Sequence, residues 1–161
     1  MFRRLLLLGL CALAALAACT TQSIPPSART TVILVRHADR AGEILNAQGL
    51  ARAANLPEAL AGYDLDAIYS PDIQRNLQTA EPLSQALALP VTIIPKEAAG
   101  ALMTRAHPEG TVIWIGNKGN LRAIWEELGA PGDAPQQYGD IGVITLKSMG
   151  RRDVTRLTVL P

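Results

Sequence analysis

Cysteine is nearly absent: there are two in 161 residues, and both, Cys11 and Cys19, lie in the first nineteen. Residues 20–161 therefore carry no disulfide of their own, whatever the redox state of their compartment. Histidine is just as sparse, with only His37 and His107, and no group of His, Cys, Asp and Glu stands at metal-ligand spacing. An excess of one charge is also missing, since the net charge is +1, which argues against a nucleic-acid partner. Internal repeats are absent, and the only long apolar run is at the start. What is present is enough apolar sequence, 48% of residues, to build the core of one domain.

That apolar start is set apart from the rest. Met1-Phe2-Arg3-Arg4 is a short positive opening, and Leu5 to Ala18 is an unbroken stretch of apolar or small residues. Its length fits a signal-peptide core and is short for a membrane span. Leu16-Ala17-Ala18-Cys19 closes it and resembles the bacterial lipobox, in which cleavage precedes a cysteine that is then acylated. The resemblance implies a signal peptide over 1–18, lipidation at Cys19, and export to a bacterial membrane with the domain on its periplasmic face. Thr20 replaces the Asp that resembles an inner-membrane retention signal, which favours the outer membrane. Loss of Arg3 and Arg4 leaves 13 basic against 14 acidic residues. The polar, Pro-rich TTQSIPPSAR of residues 20–29 reads as a tether, so the expected domain spans 30–161.

Within that domain, strands and helices alternate. TTVILVR, ending at Arg36, is a β-branched run suited to a strand buried on both faces. Asn46 offers a helix N-cap, followed by Leu50, Ala53, Ala54 and Leu60 at helical spacing, with Pro57 as an interruption. DAIYS (66–70) is a short strand; Ile73, Leu77, Ala80, Leu83 and Leu87 then mark a helix with Pro82 inside it. VTII (91–94) is a strand, 98–106 a short helix, and TVIWI (111–115) another strand. Leu121, Ile124, Trp125 and Leu128 form a core-facing stripe on the next helix. A Gly/Pro-rich loop over 129–139 leads to two last strands, in IGVITLK and DVTRLTVL. The alternation predicts a three-layer α/β/α sandwich around a mostly parallel sheet, with Trp114 and Trp125 in its core.

The residues that carry chemistry sit where strands end. Arg36-His37-Ala38-Asp39-Arg40 closes the first strand. Ser70 leaves the second, and Arg75 and Thr79 share one face of the helix that follows. Gly116 to Asn120 closes the TVIWI strand in a turn whose small residues and helix N-terminus suit an anion. LVRHA, YSPDIQRNLQTA and GNKGNLRAI together resemble the three signature segments of the histidine phosphatase (phosphoglycerate mutase-like) superfamily. The resemblance runs over residues 31–128, and QYGDIGVITL is similar to the closing strand of small bacterial members.

The resemblance implies phosphoryl transfer through a phosphohistidine, with no metal or cofactor. His37 would be the nucleophile, and Arg36 and Arg75 would grip the phosphoryl oxygens. Thr79 would support its helix. The family's second histidine falls on Asn117, which can donate a neutral hydrogen bond but lacks charge. Lys118 beside it is expected to be solvated. Asp39 and Glu97 are the candidate general acids, while Glu43 and Glu109 read as solvated loop charges and His107 as a surface-loop residue.

Two readings result. One is an exported histidine phosphatase of reduced activity on small phosphomonoesters; the other is a lipid-anchored pseudophosphatase that binds a phosphorylated ligand without turnover. A glycolytic phosphoglycerate mutase is disfavoured by export and by the lack of longer insertions.

Overall fold

The computed structural model describes residues 23–161, so Cys19 and the apolar run before it lie outside the described residues. A six-stranded sheet is built from β1 (Thr31–Arg36), β4 (Ala67–Ser70), β5 (Val91–Ile93), β6 (Thr111–Gly116), β7 (Asp140–Leu146) and β8 (Arg152–Thr158). Their order is β5-β4-β6-β1-β7-β8, with a separate small ribbon of β2 (Arg40–Ala41) and β3 (Ile44–Leu45). The first four of the large sheet are parallel neighbours, and β7 pairs antiparallel with both β1 and β8. This is the mostly parallel α/β architecture that the alternation predicts.

Both faces of the sheet are covered, which is why its central strands are apolar without alternation. Ile33, Val35, Ile113 and Ile115 face Leu56, Leu60, Ala80 and Leu83. Those residues belong to or flank α1 (Ala47–Ala54), α2 (Leu56–Ala59) and α3 (Gln74–Leu87). Val32, Leu34, Val112 and Trp114 face Met103, Leu121, Ile124 and Trp125, on α4 (Ala99–Ala106) and α5 (Lys118–Glu127). Trp114 and Trp125 are thus core residues, 0% and 2% exposed. Asn46 caps α1 by accepting from the Gly49 N–H, and Pro57 sits in the first turn of α2, where its missing N–H costs least.

The helices that follow β1 and β6 therefore leave to opposite faces, although the two strands are hydrogen-bonded neighbours. Such a switch opens a crevice at the carboxyl ends of the strands, and that is where ligands bind in open α/β sheets.

Two expectations change. Within the segment 20–29 expected as a tether, Ile24 packs on the core, Ala28 is 3% exposed, and the Arg29 N–H donates to the Pro108 carbonyl at 2.7 Å. His107 is not a solvated loop residue either. It ends α4 half-buried, with Nε2 3.0 Å from the Tyr69 hydroxyl and its carbonyl accepting from Thr30.

Candidate active site

The crevice is built around His37, which follows β1 directly and is 3% exposed. Its N–H donates to the Gly116 carbonyl at 2.7 Å, so the β1–β6 ladder runs on to hold the residue in register. In the ring, Nδ1 lies 2.9 Å from the Ala38 carbonyl, which only accepts, so Nδ1 carries the proton. Nε2 accepts from the Arg75 Nε–H at 3.3 Å and is therefore the unprotonated nitrogen. Burial, and after it the charges of Arg75, Arg36 and Arg40, lower the His37 pKa, against the Ala38 hydrogen bond that raises it. The ring is neutral at neutral pH, with its lone pair facing an arginine.

Arg75 lies in the first turn of α3, a helix that starts without a side-chain cap. The guanidinium thus adds charge where the helix dipole already favours an anion. Its Nη1 donates to Glu43 Oε2 at 2.5 Å, from the turn between β2 and β3. The sequence did not connect Glu43 with Arg75; its side chain is 75% exposed, as a solvated charge would be, yet it is ion-paired at the site. Thr79, one turn along α3, accepts from the Ala38 N–H at 3.0 Å and donates to the Arg75 carbonyl at 2.8 Å. It joins the loop after His37 to the helix that carries Arg75.

Arg36 reaches the same place from β1. Its guanidinium lies 3.8 Å from the centre of the Tyr138 ring, and Nη1 donates to the Gln136 carbonyl at 2.9 Å. The Tyr138 ring is also 5.7 Å from that of His37. Arg36 Nε is buried without a hydrogen-bond partner, a donor left over by the protein itself. Burial lowers the Arg36 pKa, but a guanidinium remains charged. Neither Tyr138 nor Gln136 could be found from local spacing, because both arrive from a loop about a hundred residues away.

Asp39 is placed elsewhere. It is buried against Arg52 of α1, Nε to Oδ2 at 2.6 Å, and Arg52 also donates to the Val159 carbonyl. Burial disfavours its charged form, but the Arg52 hydrogen bond and charge outweigh this and hold the carboxyl below its usual range. An ionised, paired carboxylate has no proton to give, so the geometry does not suit Asp39 to act as an acid. α1 also passes close to the Asp39 backbone, where a Cβ on Gly49 would lie 1.9 Å from the Asp39 carbonyl oxygen.

Asn117 shows the largest departure from expectation. No five-residue turn intervenes, because α5 starts at Lys118 with Asn117 as its N-cap. Asn117 Oδ1 accepts from the Gly119 and Asn120 N–H groups at 3.1 and 3.2 Å, and Asn120 Oδ1 accepts from the Asn117 N–H at 2.9 Å. This capping box satisfies donors that an anion would otherwise use. Asn120 Oδ1 also takes the Trp114 indole N–H at 3.1 Å. Gly116 makes room for that contact, since a Cβ there would fall 2.1 Å from Asn120 Oδ1. Lys118 is exposed. Asn117 and Glu97 line one cavity of about 580 Å³ with Lys96 and Glu127, and His37, Arg36 and Arg75 are not among its walls. The Glu97 side chain is 72% exposed, 3.9 Å from Lys96.

A buried neutral imidazole bonded to one arginine and next in sequence to another, at the switch point of an α/β sheet, has the chemistry to receive an oxyanion. Residues 29–98 match the family model for the histidine phosphatase superfamily (branch 1). Among solved structures it resembles the protein histidine phosphatase SixA complexed with tungstate, at 19% identity and TM-score 0.68, covering 80% of this chain and 96% of that one. Bacillus stearothermophilus YhfR is similar at 16% identity and TM-score 0.63, over 78% and 95% of the two chains. The mycobacterial glucosyl-3-phosphoglycerate phosphatase is similar at 14% identity and TM-score 0.63, over 80% and 98%. At these identities the likeness is one of fold. No curated protein sequence matches the chain.

Proposed function

We propose that the protein is a phosphohydrolase that cleaves small phosphomonoesters through a phosphohistidine on His37. The observation that carries this reading is the tautomer: Nδ1–H is fixed on the Ala38 carbonyl, so the lone pair of Nε2 is the nucleophile. When a phosphoryl group enters, Arg75 exchanges its contacts for phosphoryl oxygens, and Arg36 offers its unpartnered Nε. Attack of Nε2 on phosphorus breaks the ester P–O bond, the leaving alkoxide takes a proton from solvent water, and a second water then displaces the imidazole to release phosphate. The two guanidinium groups stabilise the charge spread over the phosphoryl oxygens.

Asn117 attenuates this chemistry. Its Oδ1 is occupied by the cap, leaving only the neutral Nδ2 donor where the family pattern has a histidine. Loss of one transition-state donor typically costs about 100- to 1,000-fold in rate. The same capping geometry, with Asp39 committed to Arg52, supports the second reading of a binding-only pseudophosphatase. Hydrolysis of an aryl phosphate by the full chain separates the two. Turnover that His37→Ala abolishes and Asn117→His increases supports the enzyme. Phosphate binding with no turnover in either wild type or Asn117→His supports the binder.

The Leu16-Ala17-Ala18-Cys19 sequence supports a further part of this reading: export, lipidation at Cys19 and attachment to the periplasmic face of a bacterial membrane, the outer one where two exist.

A further inference from the structure

The described chain enters the domain at the end of the sheet opposite His37. β1 separates the two ends by six residues, about 20 Å at the usual rise of a strand. From Ser23 on, this entry is fastened down. The Ser23 carbonyl accepts from Arg105 Nη2 at 3.1 Å, the Ala28 N–H donates to the Pro25 carbonyl at 3.0 Å, and the Thr30 hydroxyl donates to the His107 carbonyl at 2.6 Å. Only residues 20–22 then separate Cys19 from the folded domain. Four residue steps reach at most about 14 Å, so a lipid on Cys19 holds this end close to the bilayer.

What this end presents is specific to one corner. The turn between β7 and β8 carries Met149, 89% exposed and held at a left-handed φ of 60°, beside Ile24, Pro25, Pro26 and Arg152. Arg29, Lys147, Arg151 and Arg152 surround the turn. The carboxylate among them is Asp153, paired with Lys147. Asp64, Asp66 and Glu109 lie toward β4 and the loop before β6, and Asp66 accepts from the Thr111 N–H. The β7–β8 side is therefore basic with an apolar tip, and the β4 side is acidic.

We infer that this corner docks on anionic phospholipid headgroups, with Arg29, Lys147 and Arg151 at the surface and Met149 in the interface. The domain then stands upright on the membrane, with the His37 crevice facing away from it. The inference rests on the reading of Cys19 as lipidated. A cation attracts anionic lipid only within about a Debye length, roughly 8 Å at physiological salt, and the short link supplies that proximity. An apolar tip flanked by basic residues is the composition of interfacial anchors.

The test uses the full lipidated chain in vesicles of phosphatidylethanolamine with phosphatidylglycerol, and in vesicles of phosphatidylcholine alone. Hydrogen exchange is followed at 145–152 and, as a control, at 72–78. The expected result is exchange at 145–152 slowed about tenfold or more only where phosphatidylglycerol is present. The triple variant Lys147→Glu, Met149→Ser, Arg151→Glu loses that protection while still floating with the vesicles. Equal exchange at 145–152 in both vesicle types, with the chain still floating, overturns docking and leaves the anchor intact. If Cys19→Ala floats as well as the wild type, the lipidation reading falls, and the docking inference falls with it.

Discussion

Two helices begin beyond the carboxyl ends of neighbouring strands, β4 and β6, and they begin differently. α3 has no side-chain cap and carries Arg75 in its first turn, so it offers an anion a helix dipole and a charge together. α5 is closed by the reciprocal bonds of Asn117 and Asn120, which take up its first N–H groups before any ligand arrives. The neighbouring ends of β1 and β6 differ in the same way. β1 ends in a buried imidazole with an aligned lone pair, whereas β6 ends in a glycine shaped around the Asn120–Trp114 contact. On the proposed reading, His37 and Arg75 carry the chemistry while Asn117 serves the fold.

The largest effect should come from the support under the β1 side. Asp39→Asn leaves the buried Arg52 charge without its partner, which typically costs about 3–5 kcal/mol, seen as a large fall in Tm. Because the Asp39 pKa is lowered in the folded state, the stabilisation is full above the ordinary carboxylate value near 3.9 and is lost as pH falls through the folded value. The variant should therefore have a flatter acid limb of stability than the wild type.

Arg75→Ala removes the cation of the α3 side. The expected loss in kcat/KM is about 100- to 1,000-fold, measured with an aryl phosphate. The pH profile gives a second reading. Burial and the neighbouring arginines keep His37 neutral below its ordinary value near 6.5, so the wild-type acid limb should lie below that pH. Without Arg75 the limb should move up, and an unmoved limb would mean that Arg75 does not face the nucleophile.

Asn117→His converts the α5 side back toward the family pattern. It should raise the rate but lower stability by about 0.5–2 kcal/mol, since the N-cap is lost. A variant that is faster and equally stable would show that the capping box matters less than its geometry implies. The smallest change is expected for Glu43→Gln, which removes a carboxylate bonded to Arg75 at an exposed position. Phosphate should bind a few-fold more tightly, about what a surface ion pair is worth, as read by competitive inhibition.

Much of this arrangement is legible in the sequence because it is periodic or contiguous. The apolar runs of β1 and β6 announce strands covered on both faces, and the stripe through Leu121, Ile124 and Trp125 announces the helix that covers one of them. Arg36, His37 and Arg75 lie in the segments that resemble the family's, and the fold brings Arg75 within hydrogen-bond distance of His37. The rest depends on contacts that no spacing encodes. Glu43 sits in the turn of a ribbon whose two-residue strands are too short to leave a pattern, and Tyr138 reaches Arg36 across a hundred residues. Asn117 is the instructive case, because the spacing of Asn117 and Asn120 is that of a capping box. The signal was local and available, but a ligand-binding turn and a capped helix start draw on the same small polar residues.

The central claim is that His37 Nε2 takes the phosphoryl group. Its most direct test is a rapid mixing of the full chain with an aryl phosphate, quenched in alkali to preserve phosphohistidine, with the modified residue located by mass spectrometry. The account predicts a phosphoryl group on His37 within the first turnover, absent from His37→Ala. Release of the aryl group with His37 unmodified at every time, and unchanged in His37→Ala, would contradict it.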